Sequence, residues 1–311
     1  MNAFNNERYR RIGDEESPVR GNAAAEGAAR RTRAAPAVHA QGPFAIEMMD
    51  LGTPGHPQRV RVGRQAGKRE GVPLLLFNGI GGNIELLAPL AERMPEREIV
   101  VFDIPGVGQS EMPRWPYRLG GIARLAARIL DRFGIGQVDV LGVSWGGAAA
   151  QEFAYTCHKR CRRLILCATA PGAVMIPASP AVLWKMATPK RYMDEAYSRS
   201  VSGDIYGGDF RTNPALATEL FRHVKYQSKL GYYLQLLAVS GWTSIHWLPG
   251  LRQPTLLMAG ADDPLVRPIN ARLMHKLIRN SELKVLDCGH MFLLTRADES
   301  VAAIREFLDR P

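Results

Sequence analysis

The stretch that decides the fold is Val138–Phe153, which reads VDVLGVSWGGAAAQEF. A run of β-branched and apolar residues, typical of a buried strand, stops at a serine and continues into an alanine-rich segment typical of a helix. Residues 142–146 (GVSWG) match G-x-S-x-G, the pattern of a nucleophile elbow between a strand and a helix. Such a corner leaves room only for small residues two positions before and after it, where Gly142 and Gly146 stand. The stretch therefore predicts Ser144 as a nucleophile, while the motif alone also fits a Gly-Ser turn without catalytic meaning.

Short apolar runs alternate with helical patterns on both sides of this corner. A first hairpin is predicted from Phe44–Leu51 and Arg59–Val62. Continuously apolar runs predict buried strands at Val72–Phe77, Glu98–Asp103, Val138–Val143, Arg163–Thr169, Pro254–Gly260 and Glu282–Asp287. Helical patterns fall between them at Ile84–Arg93, Gly121–Phe133, Trp145–Thr156, Pro268–Ile278 and Ala297–Leu308. Because such strands must be covered on both faces, the succession predicts an α/β fold with a mostly parallel, doubly wound sheet.

One interval breaks this alternation and sets the predicted domain organisation. Residues 171–250 are helical in tendency, rich in aromatic residues and far too many for a structureless loop. Because they follow the end of a strand, we expect a helical lid insertion into a core formed by residues 44–170 and 251–311. Residues 1–43, rich in Ala, Arg, Gly and Pro, predict a disordered tail.

Composition excludes several classes of protein. The 311 residues carry 40 Lys and Arg against 30 Asp and Glu, a formal net charge of +10. The arginines are scattered and no nucleic-acid-binding signature accompanies them, so no nucleic-acid partner is expected. No run approaches the roughly 20 apolar residues that span a bilayer, and the N-terminus lacks the apolar core of a signal peptide. Four cysteines form no disulfide framework, which favours a cytoplasmic protein.

A serine hydroxyl acts as a nucleophile only when a base removes its proton, and an acid must orient that base. Both residues are predicted later in the chain. The strand ending at Gly260 is followed by Asp262 and Asp263, at the strand end where ligand sites of open parallel sheets lie. We choose Asp263 as the acid, since it stands three residues past Gly260, while either aspartate also fits the start of the next helix. Of seven histidines, His290 alone directly follows a late core strand, and it is the predicted base.

An oxyanion formed at the serine requires backbone N–H donors. Trp145, the residue after the nucleophile, supplies the first, and Ile80, in the glycine-rich loop 78–82, is assigned the second. A dinucleotide-binding reading of this loop, or of 103–108, fails because G-x-G-x-x-G lacks its last glycine in both places. Asp103 precedes the nucleophile in the chain and is predicted to be structural.

Cysteine chemistry is not expected to contribute to function. Cys157, His158 and Cys161 supply three potential metal ligands at the end of one helix, but no second cluster accompanies them. Cys288 stands two residues before His290 and is given no catalytic role. We therefore expect neither a metal nor an organic cofactor.

With these residues in place, the chain resembles the α/β-hydrolase superfamily and, more narrowly, the intracellular medium-chain-length polyhydroxyalkanoate depolymerases. The triad motifs are shared by the whole superfamily. The narrower resemblance rests on LLLFNGIGGNIEL (74–86), FDIPGVGQS (102–110), ATAPGAVMIP (168–177), IYGGDFR (205–211), LGYYLQL (230–236), GWTSIHWLP (241–249) and GHMFLLTRA (289–297).

The resemblance implies a serine esterase, without a cofactor, that degrades medium-chain-length polyester granules inside the cell, with Ser144, Asp263 and His290 as the triad. Its partner would be the hydrophobic granule surface. Two alternatives stay open. The chain could be a general carboxylesterase, lipase or related hydrolase of soluble substrates, or a granule-binding protein without activity.

Overall fold

The computed structural model describes residues 39–52, 57–68, 71–224 and 228–310. The first 38 residues of the predicted tail lie outside the described residues. The described residues form a sheet of nine strands, which are, in chain order, β1 (His39–Gln41), β2 (Phe44–Asp50), β3 (Arg59–Gln65), β4 (Leu74–Phe77), β5 (Ile99–Phe102), β6 (Val138–Val143), β7 (Cys161–Cys167), β8 (Thr255–Gly260) and β9 (Ser281–Leu286).

The strands lie in the spatial order β1-β2-β3-β5-β4-β6-β7-β8-β9. The pairs from β1 to β5 are antiparallel, and every pair from β5 onward is parallel. The predicted first hairpin is β2 and β3, and the predicted mostly parallel sheet is confirmed. Because β6, β7, β8 and β9 are adjacent and parallel, their carboxyl ends share one edge of the sheet.

Helices separate most of the parallel strands. The α-helices of the described residues are α1 (Ala88–Glu92), α2 (Leu119–Arg132), α3 (Trp145–Thr156), α4 (Pro180–Met186), α5 (Lys190–Met193), α6 (Glu195–Tyr206), α7 (Asp209–Thr212), α8 (Ala215–His223), α9 (Lys229–Val239), α10 (Pro268–Leu277), α11 (Phe292–Thr295) and α12 (Ala297–Leu308). Short 3₁₀ turns cover Ile84–Leu87, His158–Arg160 and Leu248–Gly250. Both α3 and α12 begin and end where the sequence predicts.

The sheet is buried on both faces because successive side chains of a strand point in opposite directions. In β4, Leu75 and Phe77 pack in one hydrophobic cluster with α2 and α3, whereas Leu74 and Leu76 pack in a second cluster with α1 and α12. All four side chains are fully or almost fully buried. This arrangement explains why the strands are continuously apolar rather than alternating.

The boundary that the sequence predicts for the tail is wrong by a few residues. His39–Gln41 were placed in the tail but pair antiparallel with β2 as strand β1. Gly42 adopts a positive φ of 60° in the turn between them, a conformation that glycine reaches without strain. Backbone hydrogen bonds extend the sheet at this edge, and these do not depend on side-chain composition.

Residues 171–250, here called the insertion, contain α4 to α9 between β7 and β8. The two ends of the insertion meet in a short antiparallel bridge between Gly172 and Thr243. Helices α4, α6, α7 and α8 share a hydrophobic cluster around Ile205 and Phe210, which also includes Leu265 outside the insertion. Among the described residues, no helix is long and apolar enough to cross a bilayer.

Candidate active site

Ser144 occupies the sharp corner between β6 and α3. Its φ of 54° and ψ of −118° lie in a region that non-glycine residues rarely adopt, and such strain costs about 1 to 3 kcal/mol. A β-carbon at Gly142 would lie 2.3 Å from the carbonyl oxygen of Gly146, and one at Gly146 would lie 2.2 Å from that of Phe77. The corner is therefore possible only with glycine at both positions.

The backbone on either side holds the corner in place. The Ser144 N–H donates to the Cys167 carbonyl at 2.9 Å, and the Thr169 hydroxyl donates to the Ser144 carbonyl at 2.8 Å. A β-carbon at Gly147 would lie 2.4 Å from that of Thr169, so the glycine lets α3 lie close to the end of β7. The Ser144 side chain is half-buried and stands at the N-terminus of α3, where the helix dipole favours negative charge.

His290 and Asp263 form a buried hydrogen-bonded pair. His290 Nδ1 lies 2.7 Å from Asp263 Oδ2, and both residues are at most 4% exposed. The other carboxylate oxygen, Oδ1, accepts the N–H groups of Leu265 at 2.9 Å and Val266 at 2.8 Å. Because an ionised carboxylate only accepts hydrogen bonds, we assign the imidazole proton to Nδ1, which leaves Nε2 as an acceptor.

The insertion supports His290 from one side. The His290 N–H donates to the Tyr206 carbonyl at 2.7 Å, and the two rings are stacked with centroids 6.4 Å apart. Tyr206 is the last residue of α6, so the insertion fixes both the backbone and the ring plane of the histidine.

The three predicted residues follow strands that end at one edge of the sheet. Ser144 follows β6, Asp263 follows β8 and His290 follows β9. The structure brings Asp263 and His290 into direct contact. Within the described ranges, no hydrogen bond joins Ser144 Oγ to the His290 imidazole. Ser144 therefore shares this edge with Asp263 and His290 without a direct hydrogen bond to either of them.

The glycine-rich loop 78–82 lies beside the serine, since a β-carbon at Gly79 would be 3.7 Å from that of Ser144. Asn78 holds the loop closed, because its Nδ2 donates to the Asn83 carbonyl at 2.7 Å and its Oδ1 accepts the Gly79 N–H at 2.8 Å. The N–H groups of Ile80 and Trp145 donate to no residue that the structure describes. Both predicted donors thus keep their hydrogen-bonding capacity.

Asp103 lies below this loop in a buried ionic cluster. Its Oδ1 accepts the Ile84 N–H at 2.8 Å, and its Oδ2 accepts from the Arg61 guanidinium at 3.2 Å. Arg61 also binds Glu85 at 2.7 Å. Burial raises the pKa of Asp103 to about 6, although Gln109, Arg61 and Ile84 oppose the shift. These contacts give Asp103 the structural position that the sequence predicts for it.

The two residues next to the predicted acid and base have different environments. Asp262 is half-exposed and accepts hydrogen bonds from Arg211 Nε and the Gly208 N–H, both at 2.8 Å. The Arg211 hydrogen bond lowers the pKa of Asp262. Cys288 is buried, and burial raises the pKa of its thiol to about 12. Asp262 therefore anchors the insertion, and Cys288 stays a neutral thiol.

A partly open cavity of about 80 Å³ reaches this edge of the sheet. Val143, which precedes Ser144, and Met291, which follows His290, both line it. The remaining lining is mostly apolar and comes from Asn78, Gly82, Leu86, Leu87, Pro89, Leu90, Tyr192, Tyr206, Leu220, His223, Leu293 and Leu294. A small, mostly apolar cavity of this kind suits an alkyl chain rather than a charged substrate.

The sequence gives no indication of several contacts that the insertion makes at the site. The Tyr192 hydroxyl donates to the Ile80 carbonyl at 2.8 Å. The Gly81 N–H donates to Gln235 Oε1 at 2.7 Å, and the Trp145 indole Nε1 donates to the Gln235 carbonyl at 2.8 Å. These partners lie 90 to 154 residues apart in the chain, and no local pattern marks them.

A family model and several known proteins are similar to this chain in sequence. A family model described as the alpha/beta hydrolase fold matches residues 72–297. A poly(3-hydroxyalkanoate) depolymerase from Ectopseudomonas oleovorans is 50% identical over 254 residues, which are 81% of this chain and 90% of that protein. A 2-hydroxy-6-oxo-2,4-heptadienoate hydrolase from Pseudomonas putida is 26% identical over 252 residues, 76% of this chain and 89% of that protein.

Solved structures share the fold at low sequence identity. A thermophilic esterase from Thermogutta terrifontis superposes with a TM-score of 0.71 at 24% identity, covering 86% of this chain and 98% of that chain. An enol-lactonase from Burkholderia xenovorans LB400 gives a TM-score of 0.70 at 22% identity, covering 86% of this chain and 100% of that chain.

Proposed function

Because this chain belongs to the α/β-hydrolase fold family, we propose that it is a serine ester hydrolase that degrades poly(3-hydroxyalkanoate). The observation that carries the chemistry is the strained Ser144 at the sheet edge where Asp263 and His290 are hydrogen-bonded. The substrate follows from the 50% identity to a poly(3-hydroxyalkanoate) depolymerase over 90% of its length. The medium side-chain length follows from the resemblance of the motifs and suits the apolar cavity.

In the proposed acylation step, His290 Nε2 takes the proton of Ser144 while Oγ attacks the ester carbonyl. Asp263 stabilises the resulting imidazolium and keeps its Nδ1–H oriented. The oxyanion accepts the N–H groups of Ile80 and Trp145, which have no other partner among the described residues. The bond from the acyl carbon to the leaving oxygen then breaks as His290 gives its proton to that oxygen, which departs as a hydroxyl, and the acyl group stays on Ser144.

Deacylation repeats these steps with water as the nucleophile. His290 removes a proton from the water as its oxygen attacks the acyl carbon. The bond from that carbon to Ser144 Oγ then breaks, His290 returns the proton to Oγ, and a 3-hydroxy acid or oligomer is released. The hydrogen bond between Ser144 Oγ and His290 Nε2 forms when substrate occupies the site, since catalytic hydrogen bonds tighten in the Michaelis complex.

We assign residues 44–170 and 251–311 to the catalytic core and the insertion to a lid that contacts the granule. Eight of the thirteen exposed large hydrophobic side chains of the described residues lie in the insertion: Val174, Ile176, Leu183, Trp184, Met193, Leu230, Tyr233 and Leu237. Trp184 is 81% exposed. Such apolar surface is suited to a hydrophobic polyester. Together with the resemblance to intracellular depolymerases, it leads us to propose that the protein acts in the cytoplasm at polyhydroxyalkanoate granules.

The test compares wild type, Ser144→Ala and the control Ser200→Ala, which alters an exposed serine of α6. Emulsified medium-chain polyester and a short soluble ester are the substrates. We expect Ser144→Ala to lower turnover of both by on the order of 10⁴ to 10⁶, with Ser200→Ala unchanged. Full activity of Ser144→Ala would refute the triad. Turnover of the soluble ester without turnover of the polyester would instead indicate a general esterase, and activity on neither would indicate a granule-binding protein.

A further inference from the structure

Two side chains of the insertion hydrogen-bond to one peptide group of the loop that carries Ile80. The carbonyl oxygen of Ile80 and the N–H of Gly81 belong to the same planar peptide unit. Tyr192 donates to the oxygen at 2.8 Å, and Gln235 accepts from the N–H at 2.7 Å. Two side chains of the insertion thus hold both polar ends of this peptide plane.

The same glutamine also contacts the residue that provides the other proposed oxyanion donor. The Gln235 carbonyl accepts the Trp145 indole N–H at 2.8 Å. Gln235 lies in α9 and is fully buried, so neither of its contacts competes with water. One residue of the insertion therefore touches the loop of Ile80 and the side chain of Trp145 together.

The packing around Gly81 leaves the loop little freedom. Gly81 has a φ of 71°, and a β-carbon there would lie 2.6 Å from the Tyr192 ring and 3.3 Å from that of Tyr232. The aromatic side chains of the insertion therefore lie directly on the loop backbone. The Ile80 N–H belongs to the peptide between Gly79 and Ile80. Asn78 holds the peptide before it and the insertion holds the peptide after it, so together these contacts set the direction of the Ile80 N–H.

A leucine would fill the Gln235 site with similar volume and no polar atoms. Instead, Gln235 Nε2 is buried without a hydrogen-bond partner in the part of the chain that the structure describes. Burying an unpaired amide donor is unfavourable, so packing alone does not account for a glutamine here. What the glutamine adds is the Oε1 acceptor for the Gly81 N–H.

We propose that Gln235 is a positioning residue for the oxyanion hole, through which docking of the insertion sets the direction of the Ile80 N–H. This inference rests on the proposed function, because it deepens the role of the Ile80 and Trp145 donors. Losing one oxyanion donor costs about 10² to 10³ in kcat, and misdirecting one costs less. We expect Gln235→Leu to lower kcat by about 10-fold to 100-fold.

The test pairs Gln235→Leu with Gln253→Leu, which removes a second buried glutamine whose Nε2 donates to the Ala154 and His158 carbonyls. Both variants lose a buried amide, but only Gln235 lies at the proposed site. We measure kcat and KM on a soluble medium-chain ester, the melting temperature, and the inhibition constant of an alkyl trifluoromethyl ketone, whose adduct places an oxyanion in the hole.

The expected result for Gln235→Leu is a fall in kcat with KM within about threefold, and ketone binding weakened by the same factor as kcat/KM. Gln253→Leu is expected to change the melting temperature comparably and kcat little. An unchanged inhibition constant in Gln235→Leu, or equal kcat losses in the two variants, would overturn the inference.

Two further variants keep the test decisive. If Gln235→Leu does not fold, Tyr192→Phe takes its place in the test, because it removes only the hydroxyl that binds the Ile80 carbonyl. For this variant we expect kcat and the affinity for the ketone to fall by the same factor. An unchanged affinity for the ketone would contradict the inference. Ser144→Ala separates the two proposals. If it stays active, the proposed function fails. If it is inactive while Gln235→Leu and Tyr192→Phe behave like wild type, only the positioning role fails.

Discussion

Replacing Asp263 by Asn tests the acid of the proposed triad with little change in shape. The asparagine oxygen can still accept the N–H groups that now bind Oδ1 at 2.8 and 2.9 Å. Its amide nitrogen then faces His290 Nδ1, where the carboxylate oxygen now lies at 2.7 Å. Because an amide NH₂ cannot accept the Nδ1–H, the imidazole must move its proton to Nε2, and it loses the lone pair that would deprotonate Ser144.

The size of the effect follows from this geometry. The attraction between a carboxylate and an imidazolium with charge centres about 4 Å apart is about 4 kcal/mol at the effective dielectric constant of a protein site. The unfavourable tautomer adds about 1 to 2 kcal/mol. Each 1.36 kcal/mol, roughly, is a factor of ten in rate, so the expected loss in kcat is about 10⁴-fold.

The assay is turnover of a soluble medium-chain ester, with the melting temperature as the folding control. Asp262→Asn is the matched variant, because it changes the neighbouring carboxylate, which binds Arg211 and not the histidine. We expect Asp262→Asn to keep kcat within about threefold. Equal losses in the two variants, or a loss in Asp263→Asn below tenfold, would refute the reasoning.

Three further predictions concern stability and surface binding. The pKa of Asp103 is raised to about 6 in the native state from its ordinary value of 3.8. Its contribution to stability is therefore present below pH 4 and is lost as pH rises through 6. In urea titrations, the unfolding free energy of wild type relative to Asp103→Asn should fall by about 2.4 kcal/mol between pH 4 and pH 7, and a pH-independent difference would contradict this. Gly146→Ala should destabilise the protein by more than about 3 kcal/mol or prevent folding, since its β-carbon would lie 2.2 Å from the Phe77 carbonyl oxygen. The control Gly121→Ala, whose β-carbon would have its nearest neighbour 3.9 Å away, should stabilise α2 by about 0.5 to 1 kcal/mol. Equal melting temperatures of the two variants would count against the packing argument. Trp184→Ser should weaken binding to polyester particles, measured by co-sedimentation, by about tenfold or more without changing kcat on a soluble ester. The control Trp115→Ser alters a residue that is 72% exposed but lies outside the insertion, and this variant should bind like wild type. Identical binding of the two variants would exclude this role of the insertion.

The sheet and the corner could be predicted from the sequence because their signals are local. Buried strands such as β6 are continuously apolar, and α3 begins and ends where the helical pattern does. The small residues around Ser144 report the steric demand of the corner directly. The positions of Asp263 and His290 follow from the topology, since the carboxyl ends of adjacent parallel strands meet at one edge.

The contacts of the insertion could not be predicted in this way. Tyr192, Tyr206 and Gln235 reach the site through tertiary packing, and a buried glutamine in a helix looks like any other polar residue in a pattern. Strand β1 was missed because its pairing depends on backbone hydrogen bonds and on the turn at Gly42 rather than on β-forming side chains. Local patterns thus locate the sheet and the corner at Ser144, whereas the environment of the candidate site depends on residues distant in the chain.

The most direct test of the central claim is to locate the reactive hydroxyl. The protein is incubated with an alkyl fluorophosphonate, digested, and the modified peptide is mapped by mass spectrometry. The account predicts one adduct, on Ser144, and a much slower labelling rate in His290→Ala because the base is absent. Labelling of another serine, or equal labelling rates with and without His290, would contradict it.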